Sequence, residues 1–122
     1  FVDSGGEAVR PAMTWKDTRA DAIATRLRTA LGVHPEARHM NAFHPLARLA
    51  WLKQQEPAGF EAVAHVLEPK DWLNLRLTGR PATDPVSMAR LLACREPSGG
   101  IDALSAAGVA DSLIPPVIEA QE

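Results

Sequence analysis

The chain has 122 residues, 46% of them hydrophobic and 23% charged, which is enough for one domain with a buried core and excludes a disordered or fibrous chain. Lys and Arg total 13 against 15 Asp and Glu, a formal charge of −2 mixed along the sequence, so the electrostatic basis for a nucleic-acid partner is missing. Cys94 is the single cysteine, which excludes an internal disulfide and a multi-cysteine zinc site and fits a reducing compartment, with cytoplasm as the default expectation.

The first residues read as short strands around a turn: Phe1-Val2, then Asp3-Ser4-Gly5-Gly6-Glu7, then Ala8 to Trp15. Asp-Ser-Gly-Gly suits a turn because glycine accepts positive φ without a steric penalty, and Pro11, which has no N–H, belongs at a strand start or edge. From Asp17 the period becomes 3.6, with Ala20, Ile23, Ala24, Leu27 and Leu31 on one stripe. This predicts a helix over 17–31, capped by Asp17 and ended by Gly32. Pro45, Pro57 and Pro69 each predict a helix start, since a first-turn proline gives up no hydrogen bond. Leu73, Leu75 and Leu77 alternate as a strand would, yet Lys70-Asp71 after Pro69 reads as a first helical turn and Thr78-Gly79 as its stop, so a helix is preferred. Further helices are expected over 86–94 and 101–107, with a loop at Pro97-Ser98-Gly99-Gly100 between them and an extended exit at Pro115-Pro116.

A β start followed by a mostly helical body rarely makes a complete α/β domain, because a parallel sheet needs several strands alternating with helices. Together with a first residue that is Phe rather than Met, this gives the expectation of an internal piece of a longer chain. No apolar run approaches the ~20 residues that span a bilayer, and no secretion signal is visible, so neither a membrane nor export is expected.

The most informative segment is RPAMTWKDTRA, residues 10–20. It delivers Trp15 at a strand end and Asp17 at a helix start, where open α/β folds place ligand contacts. On chemistry alone two readings stand. Trp15 belongs to the core and Asp17 is a helix cap; or the indole covers the apolar face of a sugar while the carboxylate accepts its hydroxyls.

DSGGEAVRPAMTWKDTRA resembles the pattern of the FGGY carbohydrate kinase family, in which a turn and a strand lead into a Trp-x-Asp-x-Arg signature. HPLARLAWLKQQEP, WLNLRLTGRPATD and LIPPVIEAQE resemble further family segments in the same order, so the resemblance covers residues 3–119. It implies part of an actin-like, ribonuclease-H-like α/β kinase, here part of the sugar-binding N-terminal domain over 1–122, mostly helical with a short β start. The implied reaction is transfer of the ATP γ-phosphoryl group, with Mg2+, to a hydroxyl of a pentulose such as xylulose, or of a polyol. It further implies that Trp15, Asp17 and Phe43 contact the sugar. Phe43 stands where the polyol branch has a tyrosine, which favours a ketopentose, and TDPVSMARLL keeps Thr83, Asp84 and Arg90 of the family pattern while departing at Ala89 and Leu91.

The groups that phosphoryl transfer needs are absent from this segment: it contains no glycine-rich phosphate loop and no signal for a metal-holding carboxylate or a base. ATP and Mg2+ are therefore expected to be held by the remainder of the kinase chain, and the segment alone is expected to be inactive. The expected partners are the small sugar or polyol and that remainder, and a homodimer is compatible with the sequence. The reading from another class is a non-catalytic helical binding or regulatory module that shares the kinase pattern.

His34, His39 and His44 recur every five residues with prolines between, which is not the spacing of a helical metal pair, so structural or solvent-facing roles are expected. Cys94, beside an apolar Leu-Leu-Ala run, reads as a small buried hydrophobe, and Glu61, Glu68, Asp102 and Asp111 as solvated charges or caps.

Overall fold

The apolar stripe after Asp17 becomes a helix that starts later than expected. In the computed structural model, which describes residues 1–118, α1 runs Asp21–Leu31 and buries Ile23, Ala24, Leu27 and Leu31. Asp17 does not cap it. Its Oδ1 instead accepts from the Arg19 amide at 3.1 Å and from Arg19 Nε at 2.9 Å, a local turn that competes with helix initiation. Trp15 is 76% exposed, so the reading that put it in the core is also corrected.

Each proline predicted to open a helix does so, in α2 (Pro45–Gln55), α3 (Pro57–Ala62) and α4 (Pro69–Thr78). What settles α4 as a helix is its start and its end. Glu68 and Asp71 form a reciprocal capping box, and Gly79 closes the last turn at φ 74, a left-handed conformation suited to glycine. The helix expected over 86–94 shortens to α5 (Ala89–Ala93), because the Asp84 carboxylate takes the Val86 and Ser87 amides at 2.9 and 2.8 Å and holds the preceding residues in a turn. Asp102 caps α6 (Ala103–Ala107) by accepting from the Leu104 and Ser105 amides. Short 3-10 helices at Pro35–His39 and Asp111–Leu113 occupy stretches given no element from the sequence.

The expected strand over residues 8–15 is absent among the described residues. Val2 makes single antiparallel bridges to Ala8 and His65, and Thr83 makes a parallel bridge to Val117. From Arg10 onward the carbonyls find side chains instead of a neighbouring strand: Pro11 O accepts from Arg10 Nη1 at 2.6 Å, and Met13 O and Thr14 O accept from Arg48. The residues 119–122 that close the resemblance at the chain's end lie outside the described residues.

The core joins α1, α2, α5 and α6 through Leu31, Leu46, Leu49, Leu52, Leu91 and Leu104. Each such side chain contributes about 1.5–3 kcal/mol on burial. α4 stands apart. Asp71 is its only buried residue, while Leu73 and Leu77 are 55% and 76% exposed, so its apolar side faces away from this core.

Candidate functional site

The loop carrying Trp15 and Asp17 has no regular structure, and one helix holds it. The Arg10 and Arg19 guanidinium carbons lie 5.5 and 5.2 Å from the centre of the Trp51 indole on α2, gripping the loop near both ends. Arg10 Nε also donates to Glu56 at 3.1 Å. Between these grips Arg48, one helical turn before Trp51, donates to Met13 O at 3.0 Å and Thr14 O at 2.6 Å, with a longer approach to Asp17 O at 3.5 Å. Its Nε points back to Ala42 O at 3.4 Å, and its guanidinium sits 5.7 Å from the Phe43 ring. Arg48 therefore touches both segments in which the sequence suggested sugar contacts.

Beside this clamp lies a cavity of about 330 Å3 whose lining includes Arg10, Met13, Phe43, Arg48, Glu68 and Trp72. Apolar and aromatic surface with a few charged groups is the usual make-up of a small-molecule pocket. Phe43 lines it. Trp15 and Asp17 do not: Trp15 is exposed, with the Lys16 ammonium 5.0 Å from its ring centre, and Asp17 turns toward Arg19. The hydrogen bonds from Arg19 hold the Asp17 carboxyl below its usual pKa. Also in the lining, desolvation and then the neighbouring Asp71 charge push the Glu68 carboxyl above its usual pKa, and the Trp72 indole N–H donates to Gly6 O at 3.2 Å.

A second polar group lies where α4 begins. Asp71, 1% exposed, accepts from Thr83 Oγ1 at 2.8 Å and from the Glu68 amide at 3.1 Å, and it pairs with Lys70 at 2.7 Å. Lys70 also pairs with Asp84, whose pKa falls sharply, first through that bond and then through the Ser87 amide. Thr83 and Asp84 of the kinase-like pattern thus spend their polar groups fastening α4 to the turn before α5.

A third group is buried between α2 and α5. The ligand atoms of Glu36, His44 and Cys94 lie within 4.8 Å of one another. Each of these groups already has a partner within the chain. His44 Nδ1 accepts the Leu46 amide at 3.1 Å, which leaves the proton on Nε2, where it is donated to Glu36 at 3.1 Å. Glu36 is further paired with Arg90 at 3.2 Å, burial pushes the Cys94 thiol up to about 12, and its Sγ lies 3.4 Å from Arg90 O. His34 makes the same cap one element earlier, accepting the Glu36 amide at 3.1 Å, while His39 is exposed.

Sequence reasoning singled out Trp15, Asp17 and Phe43, read Glu68 as a charge or cap, which it is at the start of α4, and missed Arg48 and Trp51. A signal for that pair was present: once a helix opens at Pro45, residues 48 and 51 share one face, and Arg10 and Arg19 flank the loop.

The sequence pattern of the FGGY family of carbohydrate kinases, N-terminal domain, matches residues 1–122. The chain belongs to the FGGY family of carbohydrate kinases. A xylulose kinase of Streptomyces coelicolor is 38% identical over 88 residues, 68% of this chain and 18% of that protein, and a xylulose kinase of Bacillus subtilis is 28% identical over 100% of this chain and 26% of its own length. An L-fuculokinase of Salmonella typhi is 30% identical over 98% of this chain. The crystal structure of a xyloylose kinase from Brucella ovis superposes with a TM-score of 0.79 at 25% identity, over 99% of this chain and 26% of that one. The mostly helical, strand-poor segment is thus the expected part of the actin-like kinase fold. The chain spans about a quarter or less of these relatives' lengths. No helix among the described residues is long and apolar enough to cross a membrane.

Proposed function

We propose that this segment forms part of the sugar-binding domain of an ATP-dependent kinase that phosphorylates a hydroxyl of a pentulose, with Trp15, Asp17 and Phe43 contacting the sugar. The observation that carries the reading is the cavity beside the clamped loop. At about 330 Å3 it has the size of a small-molecule site, and it places the Phe43 ring and the Met13 side chain among the charges of Arg10, Arg48 and Glu68. Phe43 packs on the carbon face of the sugar, and Arg10 and Glu68 orient its hydroxyls. Trp15, exposed in this segment, is left for the remainder of the kinase chain to close over with the sugar. The bonds from Arg19 use Oδ1 of Asp17, which leaves Oδ2 for a sugar hydroxyl.

The residues present do not fit ATP or Mg2+. In the Asp3–Glu7 turn the Gly5 and Glu7 amides already donate to Asp3 Oδ1 at 2.9 and 3.0 Å, so a carboxylate occupies the place a phosphate would need. A side chain at Gly99 would meet Val33 at 2.2 Å, so that turn is packed rather than open to a ligand. Asp71 and Asp84 share the Lys70 ammonium, and Glu36 pairs with Arg90 and accepts from the His44 N–H. Positioning and charge stabilisation at the phosphates, on which phosphoryl transfer depends, are assigned to the remainder of the kinase chain.

The test is steady-state kinetics of the complete kinase carrying Phe43→Ala or Trp15→Ala. The expected result is a raised KM for the pentulose with the KM for ATP unchanged. Equal loss for both ligands would count against sugar contact, and a complete chain that turns over no sugar or polyol would favour the binding-module reading.

A further inference from the structure

We infer that Arg48 is a positioning residue that builds the sugar loop before any sugar arrives, by tying the Trp15 segment to the Phe43 turn through a single guanidinium. This rests on the sugar role proposed above for Trp15 and Phe43. Among the described residues, 11–18 have no strand partner, and their backbone-to-backbone bonds are local turns such as Asp17 N to Thr14 O. An irregular segment of that kind is ordinarily mobile unless something satisfies its carbonyls. Here the fork of one arginine does so: Nη1 on Met13 O, Nη2 on Thr14 O, and Nε toward Ala42 O beside Phe43. A guanidinium presents these donors in one rigid plane, so it fixes the distance between the two segments as well as the conformation of each. The Trp51 grips on Arg10 and Arg19 anchor the loop near its ends, and Arg48 defines its middle, where Trp15 stands. Because the same helix supplies Arg48 and Trp51, the loop and the Phe43 turn take their positions from one rigid body. A site preformed in this way avoids the ordering cost on binding, and Arg48 therefore acts on sugar affinity through Trp15 and Phe43.

The experiment labels the complete kinase with 5-fluorotryptophan, assigns the Trp15, Trp51 and Trp72 resonances by single substitution, and compares wild type, Arg48→Ala and Arg48→Lys without sugar. In Arg48→Ala the Trp15 resonance is expected to shift and sharpen while that of Trp72 stays in place, which shows that the fold is intact. The KM for sugar is expected to rise about tenfold while the KM for ATP stays the same. Arg48→Lys keeps the charge but not the fork and is expected to fall between the two. A Trp15 resonance unmoved in Arg48→Ala would overturn the clamp, whatever the kinetics. A resonance that moves while the sugar KM does not would overturn the inference through its premise, the sugar role of Trp15. Full restoration by Arg48→Lys would show that charge alone suffices and would overturn the part played by the fork.

Discussion

The two stretches that most resemble a kinase, the Trp15 loop on α2 and the Thr83-Asp84 turn against α4, use their polar groups in opposite ways. At the turn, Lys70, Asp71, Thr83 and Asp84 are bonded to one another, and Asp71 and Thr83 are 1% and 2% exposed. At the loop, guanidiniums hold the backbone, while an indole 76% exposed and a phenyl ring 45% exposed remain uncovered beside a cavity. A motif whose side chains are consumed internally explains the fold; one whose backbone is held so that its side chains stay available is a place to look for binding.

The largest effect expected from this contrast concerns what neither region supplies. The isolated segment, given ATP, Mg2+ and a panel of pentuloses and polyols, should release ADP at least about 10³-fold more slowly than the complete kinase, the scale on which loss of one charge-stabilising group slows phosphoryl transfer. Comparable turnover would place catalytic groups inside residues 1–122. Next in size, Trp15→Ala in the complete kinase should raise the sugar KM about tenfold, equivalent to about 1.4 kcal/mol, with little change in melting temperature, since an exposed indole contributes little to the core. A large drop in melting temperature would move Trp15 into the structural class.

The turn should behave in the reverse manner. Thr83→Val removes the hydroxyl that Asp71 Oδ2 accepts at 2.8 Å and leaves a buried carboxylate short of a donor, a loss of about 1–3 kcal/mol. Melting temperature should fall and the sugar KM should hold. A raised sugar KM with unchanged melting temperature would break the distinction between the two regions.

How much of this was legible in the sequence follows the same line. Prolines at helix starts and the 3.6-residue stripe of α1 were readable because their causes are local: a fixed φ, a missing N–H, a periodic apolar face. The strand over residues 8–15 and the Asp17 cap were misread because the deciding partners lie elsewhere. Arg48 is far along the chain from the Met13 and Thr14 carbonyls, and Arg19 draws Asp17 away from the helix. Chemistry alone left Trp15 between a core reading and a sugar reading, and Phe43 was proposed only through the family pattern. Their scaffold was not legible, although Arg48 and Trp51 share a helix face, because the partner of that face is a loop with no periodicity to announce it.

The smallest effect expected is a pH dependence at the joint between these regions, since His44 caps the helix that carries Arg48. Its pKa is lowered from the usual 6.5, first by desolvation, against which the Glu36 hydrogen bond works in the other direction. The neutral ring is therefore favoured in the folded chain, and protonation would put a proton on Nδ1, where the Leu46 amide now donates. Above pH 6.5 the ring is neutral in folded and unfolded chains alike, and it contributes no pH dependence. Below pH 6.5 the unfolded chain takes up the proton first, so stability falls as pH drops toward the folded value and levels off beneath it. His65, also lowered by desolvation, adds a loss of the same sign, so the slope of the wild type alone does not isolate His44. His44→Asn does: asparagine retains capping ability at a helix start but does not titrate, so the variant should lose part of the decline in melting temperature between pH 6.5 and 5. If the decline is as steep in the variant as in the wild type, His44 is not the group that titrates, and the loop and the turn do not share a pH-sensitive joint at the start of α2.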